Sequence, residues 1–288
     1  MSPNLIGALL MMASMFSFTM NDTFIKLTDG ALPLAQLLVL RGVLSLVMIY
    51  ALARTLGALR WDIGGRDWVF IGLRSAGEIG AAYFFITALL NLPLANVTAI
   101  LQVLPLTVTL GSALLFREAV GWRRAVAIGI GFCGMLLIVR PGPDGFSIYS
   151  LYALGAVACV TLRDLATRRI SRDVPGLTVT VIAAVSVLAF FGALSVGTAW
   201  QPVTPRLWLL IGGSSVFILA GYYFSVQVMR TGDVSFIAPF RYTGLVWALI
   251  LGFFVFGDWP DGVTLLGAGI VVATGLFTLW RERKALRG

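Results

Sequence analysis

The feature that most limits what this chain can fold into is a succession of apolar runs, each about 20 residues long, separated by gaps of a few residues along all 288 positions. The runs fall at about 5–27, 34–53, 68–90, 95–116, 122–139, 148–168, 174–197, 206–228, 234–256 and 262–280. A segment of that length crosses hydrocarbon as a helix, because lipid offers no partner for an open backbone N–H or C=O. The expected fold is an all-α integral membrane protein with ten transmembrane helices. Composition agrees: 59% of residues are hydrophobic and 12% charged, and the mean hydropathy is +0.94, far outside the range of soluble domains. The first run has no basic leader and no A-x-A site, so it is expected to stay as a helix rather than be removed as a signal.

The formal charge of +8 does not indicate nucleic acid, because the basic residues sit in short gaps between apolar runs and form no basic face. They serve orientation instead. With the N-terminus in the cytoplasm, one side of the membrane collects fourteen Lys and Arg residues, from Arg54 to Arg287, and the other receives Lys26, Arg140 and Arg206. That bias places both termini in the cytoplasm, the even number of spans agrees, and a cell (inner) membrane is the expected location.

The chain also repeats itself. Sliding it by about 140 residues lays Phe116-Arg117-Glu118 over Phe256-Gly257-Asp258, and Thr19-Met20-Asn21-Asp22 over Thr161-Leu162-Arg163-Asp164, with Lys26 over Arg168. One residue out of that register, Ala82-Tyr83-Phe84-Phe85 lies over Gly221-Tyr222-Tyr223-Phe224. The seam is the helix-breaking stretch from Arg140 to Gly145. Residues 1–140 are expected to form one five-helix repeat, 141–147 a connecting loop, and 148–288 a second five-helix repeat with a short basic tail. Five is odd, so the second repeat enters the membrane inverted relative to the first.

These residues carry a family resemblance. The chain resembles the ten-span EamA-type branch of the drug/metabolite transporter superfamily, and within it the YddG-type amino-acid exporters. The matching features are Leu40-Arg41, the repeated aromatic element, Ala99, Gln102 and Pro105 leading to Phe116-x-Glu118 and Gly129, and Pro239 leading to Phe256-x-Asp258 and Gly269. Asp258 departs from the family's usual Glu, so the two half-ends need not make equivalent contacts. The resemblance implies a basket of helices around a central cavity, and export of small metabolites.

Charges inside the runs point to the site. A charged side chain at the bilayer centre costs about 2.5 to 3.5 kcal/mol on insertion scales, so each needs a partner or a wet cavity. Asp22, Arg41 and Glu78 are expected to share one polar network in the first half, with Arg241 and Asp164 displaced in mirror fashion in the second. Arg74 and Glu78 are spaced i, i+4 and can neutralise each other, and Arg74 and Arg163 are assigned structural or interfacial roles. Gln102 joins the substrate-binding set from the motif above. Tyr83 and Tyr222 join it because a phenolic hydroxyl at membrane depth needs a partner, and Trp247 as an aromatic wall at the same depth. The other seven tryptophans, Trp61, Trp68, Trp122, Trp200, Trp208, Trp259 and Trp280, lie near run ends as interfacial anchors. Gly244, Ala248 and Gly252, and Ala127 with Gly131, have the spacing of close helix contacts. Pro105 and Pro239 fall inside the fourth and ninth runs, where each removes a backbone bond and favours a kink.

With no histidine in the chain, imidazole catalysis and His metal ligation are out of reach. Cys133 and Cys159 lie alone in apolar runs and are expected to pack. No Walker sequence, G-x-S-x-G or paired metal-binding acids occur. The expectation is therefore a secondary transporter, not an enzyme, without cofactor, metal or nucleic acid, acting as a monomer in the bilayer on a small-molecule substrate. The substrate class favoured by acids and arginines at similar depth is a small zwitterion, aromatic or other neutral amino acids first, exported by alternating access. The alternative is a multidrug exporter of organic cations, which needs an acid and an aromatic wall.

Overall fold

The computed structural model describes residues 2–55, 57, 59–117, 121–140, 147–171, 173–228, 231 and 234–285. Glu118, the seam residues 141–146, Arg172, Arg230 and Arg287 lie outside them. Among the described residues every regular element is helical: α1 (Pro3–Lys26), α2 (Leu34–Thr55), α3 (Gly65–Asn91), α4 (Leu94–Leu101), α5 (Leu104–Phe116), α6 (Trp122–Val139), α7 (Ile148–Thr167), α8 (Gly176–Ser195), α9 (Pro205–Val228), α10 (Val234–Ile237), a 3-10 helix (Ala238–Tyr242), α11 (Thr243–Phe256) and α12 (Gly262–Ala285).

Among the described residues nine stretches are long and apolar enough to cross a membrane, with α4 and α5 joined as one and the 3-10 helix joined to α11 as another. The tenth expected span, α6, has a shorter apolar part, Ala125–Val139, because Arg123 and Arg124 occupy its first turn. Many serine and threonine hydroxyls inside the spans donate back to carbonyls of their own helix, as Thr23 does to Thr19 at 2.8 Å and Thr109 to Pro105 at 2.7 Å. Hydroxyls bonded in this way need no water.

The fourth and ninth runs are interrupted at matching places. The break between α4 and α5 falls at Gln102 and Val103, just before Pro105, and the 3-10 helix begins at Ala238, just before Pro239. Proline lacks the N–H that would continue the ladder, and its ring crowds the preceding turn.

The principal packing joins one half of the chain to the other: α3 on α7, α1 on α9, α6 on α12 and α2 on α8. Weaker contacts link α3 to α8, α2 to α9, α1 to α11, α5 to α7 and α4 to α11. Exchanging the halves leaves this scheme unchanged. Two seams demand glycine. A Cβ on Gly267 of α12 would lie 2.5 Å from the Gly134 carbonyl oxygen of α6, and one on Gly77 of α3 would lie 2.8 Å from the Cys159 carbonyl oxygen of α7. Of the small-residue stripes, Gly131 is tight against Leu106 and Thr274, whereas Gly244 and Gly252 make ordinary contacts. Cys159 packs against Gly80, and Cys133 lies on an exposed face; both are free thiols.

The seven tryptophans near run ends are all exposed. Polar side chains tie loops to helices. Gln36 of α2 donates to the Gln201 carbonyl at 2.7 Å and accepts from its N–H at 2.9 Å, and Thr178 of α8 accepts from the Arg60 N–H at 3.1 Å. Each of these is the third residue of its helix gripping the loop that follows the other half's second helix.

Candidate functional site

Five helices bring ionisable groups together inside the bundle. On α1, Asn21 and Asp22 are adjacent, and the Asn21 amide donates to the Asp22 carboxylate at 2.8 Å. The Asn21 carbonyl oxygen in turn accepts from Arg41 of α2 at 3.1 Å and from Ser214 of α9 at 2.8 Å. Asn21 is thus the bridge between the Asp22 carboxylate and the Arg41 guanidinium, and it fastens α1 to both neighbours.

Glu78 of α3 is drawn to two cations. Its Oε2 lies 3.9 Å from Arg74 on the same helix and 3.5 Å from Arg163 of α7. Arg163 also holds Asp164, with Nε 2.9 Å and Nη2 2.8 Å from the same carboxylate oxygen. Within this cluster, the Glu78 to Arg163 ion pair crosses from one half of the chain to the other. Tyr222 of α9 lies within electrostatic reach of Glu78, Arg163, Arg74 and Arg41, and its ring meets Phe18 edge-on with centroids 5.6 Å apart. Arg41 is likewise within reach of both Asp22 and Glu78.

The cluster therefore holds three acids (Asp22, Glu78, Asp164) and three arginines (Arg41, Arg74, Arg163), a balance that lets ionised groups persist at membrane depth. It is not saturated. Arg41 Nε, Arg74 Nη1 and Glu78 Oε2 are buried atoms without a hydrogen bond, and the side chains of Arg163 and Asp164 keep 26% and 29% of their surface exposed. Orphaned donors beside an orphaned acceptor are what a ligand carrying both charges could complete.

The remaining expected residues divide. Asp22, Arg41, Glu78, Asp164 and Tyr222 converge. Gln102 is buried at the α4–α5 break, near Gly244 and Met15. Met15 is seven residues from Asp22 on α1 and so shares its face, which puts Gln102 two turns along the same stripe. Tyr83 does not join: its ring is exposed and clusters with Phe84 and Tyr152. Trp247 packs edge-on against Phe16 at 5.1 Å, with its indole N–H buried and unbonded. Phe16 is six residues from Asp22, about 120° away around α1 at 100° per residue, so Trp247 sits on a different side of α1.

Arg241 corrects the expectation of a mirrored inward charge. It is exposed in the 3-10 helix, and the adjacent Tyr242 is buried in its place. The tighter turn after Pro239 rotates the register that an uninterrupted α-helix would keep. Conversely, Asn21, Ser214 and Arg163 are members that sequence reasoning left out. The internal repeat held a signal for two of them, since it aligns Asn21 with Arg163, each bonded to the aspartate that follows it.

Two cations mark opposite halves of the repeat register. Lys26 turns inward, donating to the Leu89 and Leu92 carbonyls at 3.1 and 2.8 Å at the end of α3, with its ammonium 5.5 Å from the Phe256 ring. Arg168 donates to Ser112 at 2.5 Å, and the guanidinium of Arg169 lies 4.0 Å from the Phe116 ring.

Comparison with known proteins fits this geometry. The model of the EamA-like transporter family matches twice, over residues 5–140 and 147–280. The chain is 28% identical to a riboflavin transporter of Vibrio cholerae over 285 residues, covering 98% of this chain and 95% of that one. It is 27% identical to a pseudopaline exporter of Pseudomonas aeruginosa, covering 96% and 97%. It is 26% identical to an S-adenosylmethionine uptake transporter of Rickettsia conorii, covering 67% and 66%. A solved crystal structure shares the fold with a TM-score of 0.66 at 20% identity, covering 96% of this chain and 98% of that one.

Proposed function

The chain belongs to the EamA-like transporter family, and from that premise we propose that it is a secondary transporter exporting small zwitterions, neutral and aromatic amino acids first, by alternating access between its two five-helix halves. The observation that carries this reading is the charge-balanced, unsaturated cluster to which both halves contribute. Moving an ammonium and a carboxylate out of water requires compensating groups of both signs. Glu78 or Asp22 would take the ammonium, and Arg41, helped by Arg74, the carboxylate. Tyr222, Asp164 and Gln102 would border the path.

Residues 148–288 form, in this reading, an inverted copy of residues 1–140, with both termini in the cytoplasm. The exchange symmetry of the packing, the paired breaks at Pro105 and Pro239, and the equivalent grips of Gln36 and Thr178 support it. Rocking one half against the other would then expose the cluster to each side in turn. The protein acts as a monomer without a cofactor.

The test is counterflow of neutral amino acids in proteoliposomes, with and without a pH gradient. Flux that needs no gradient indicates facilitated diffusion, flux that the gradient drives indicates proton coupling, and no flux under either condition overturns the substrate class. One observation favours organic cations instead: the direct partner of Asp22 is the neutral Asn21, and the aromatic pair Phe18 and Tyr222 stands nearby. Arg41→Gln separates the two, because cation efflux would survive it and zwitterion export would not.

A further inference from the structure

α6 and α12 run antiparallel. Arg140 at the end of α6 is bonded to Asp261 at the start of α12, and Gly134 and Gly131 then meet Gly267 and Thr274 in turn. Toward the other end of the pair the two helices border a groove of about 380 Å³, lined by Trp122, Arg123, Val126, Ile130, Thr274 and Phe277. Trp122, Val126 and Ile130 are at least half exposed, and on a spanning pair that exposure is to lipid. The Thr274 hydroxyl is turned back onto the Ile270 carbonyl at 2.8 Å, so the inside of the groove presents carbon.

Its mouth is cationic. The Arg123 guanidinium lies 5.3 Å from the Trp122 ring, and Arg281, one turn beyond Phe277 on the same face, lies 6.0 Å from the Trp280 ring. Both arginines are thus parked on interfacial tryptophans at the depth of lipid head groups. An apolar slot with a cationic rim at that depth matches an amphiphile with a hydrocarbon chain and an anionic head. We propose that the α6–α12 groove holds one acyl chain of an anionic phospholipid, with its phosphate between Arg123 and Arg281. This site is separate from the transport cluster.

The delipidated full-length protein, titrated with palmitoyl-oleoyl phosphatidylglycerol in neutral detergent and followed by native mass spectrometry, should retain one such lipid in preference to phosphatidylcholine with the same chains. Each of Arg123→Gln and Arg281→Gln should weaken retention about fivefold, the factor for one basic residue at an anionic surface, and the pair about thirtyfold. Arg123→Lys should keep most of it. Ile130→Trp fills the slot from its exposed side without altering charge and should abolish retention. In bilayers, phosphatidylglycerol brominated on its acyl chain should quench the part of the fluorescence that Trp122→Phe removes, and brominated phosphatidylcholine should quench it less. Equal retention of the two lipids, or retention indifferent to both glutamine variants, overturns the proposal. So does a dimer that retains no lipid and is dissociated by Ile130→Trp, since a second copy of the chain would then cover the groove.

Discussion

Arg163 serves two acids at once, Glu78 of the other half and Asp164 of its own helix. Arg163→Gln would leave both carboxylates without that cation in a medium poor in water. A fully buried orphan of this kind costs about 3 to 5 kcal/mol; because about a quarter of the Arg163 side chain remains exposed, about 1 to 3 kcal/mol is expected, read as a lower unfolding temperature in detergent. Adding Glu78→Gln should return part of that stability without restoring transport. If the double variant is no more stable than the single one, the Glu78 to Arg163 pair is not the main link. This cluster was partly legible beforehand, because Asp22, Arg41 and Glu78 are conspicuous in runs that otherwise exclude charge. Arg163 was set aside as interfacial because a sequence gives depth along a span but not the direction a side chain faces. Arg241 lies outside the cluster for a related reason: a 3-10 turn sets the direction it faces, and no spacing in the sequence shows that turn. Asn21 carries no charge, and beyond its alignment with Arg163 in the repeat nothing in the sequence announces its contacts with Arg41 and Ser214.

Among the elements, the α6–α12 seam is the most exacting. Gly267→Val must push the helices apart because the obstructing atom is a backbone oxygen of Gly134. A loss of about 1 to 3 kcal/mol is expected from such overpacking, against little change for Gly129→Val, where nothing lies within 4 Å. Thermal unfolding of the two variants side by side checks this. Gly129 and Gly269, the glycines of the family motif, stand in open space, so the motif did not reveal which glycines close the seam. The Arg140–Asp261 junction of the same pair is sensitive to acid. The Thr264 N–H, together with Arg140, holds the Asp261 carboxyl below the usual carboxylate range. Its stabilising contribution is therefore fully present above about pH 4, the ordinary aspartate value, and is lost as pH falls through the lower folded value. The stability difference between the unmodified chain and Asp261→Asn should be largest near neutrality and vanish in strong acid. At the end of α5, Arg117 adopts the left-handed conformation (φ 56°) that Gly257 adopts at the end of α11 (φ 70°). Arg117→Gly should raise stability by about 0.5 to 1 kcal/mol, the left-handed cost of a side chain less the entropy that glycine brings.

For the whole molecule, run length and hydropathy sufficed to expect helices crossing a membrane, because lipid leaves the backbone no other choice. Which helix packs on which was beyond reach, since the strongest contacts join one half of the chain to the other, as Gly77 and Cys159 do. The proposed orientation is tested by fusing reporters after Gly288: a fluorescent protein there should mature, and alkaline phosphatase should stay inactive. Active phosphatase would move the C-terminus out of the cytoplasm.

Lys26 and Arg168, which the repeat aligns, fasten their helices by different chemistry: an ammonium donating to two backbone carbonyls in one case, a guanidinium donating to the Ser112 hydroxyl in the other. If the halves rock as proposed, latches of unlike make give no reason for the two doorways to yield at the same push, and exchanging the two side chains, with the resting accessibility of each face read by thiol labelling, is the direct way to learn which one the protein leaves open.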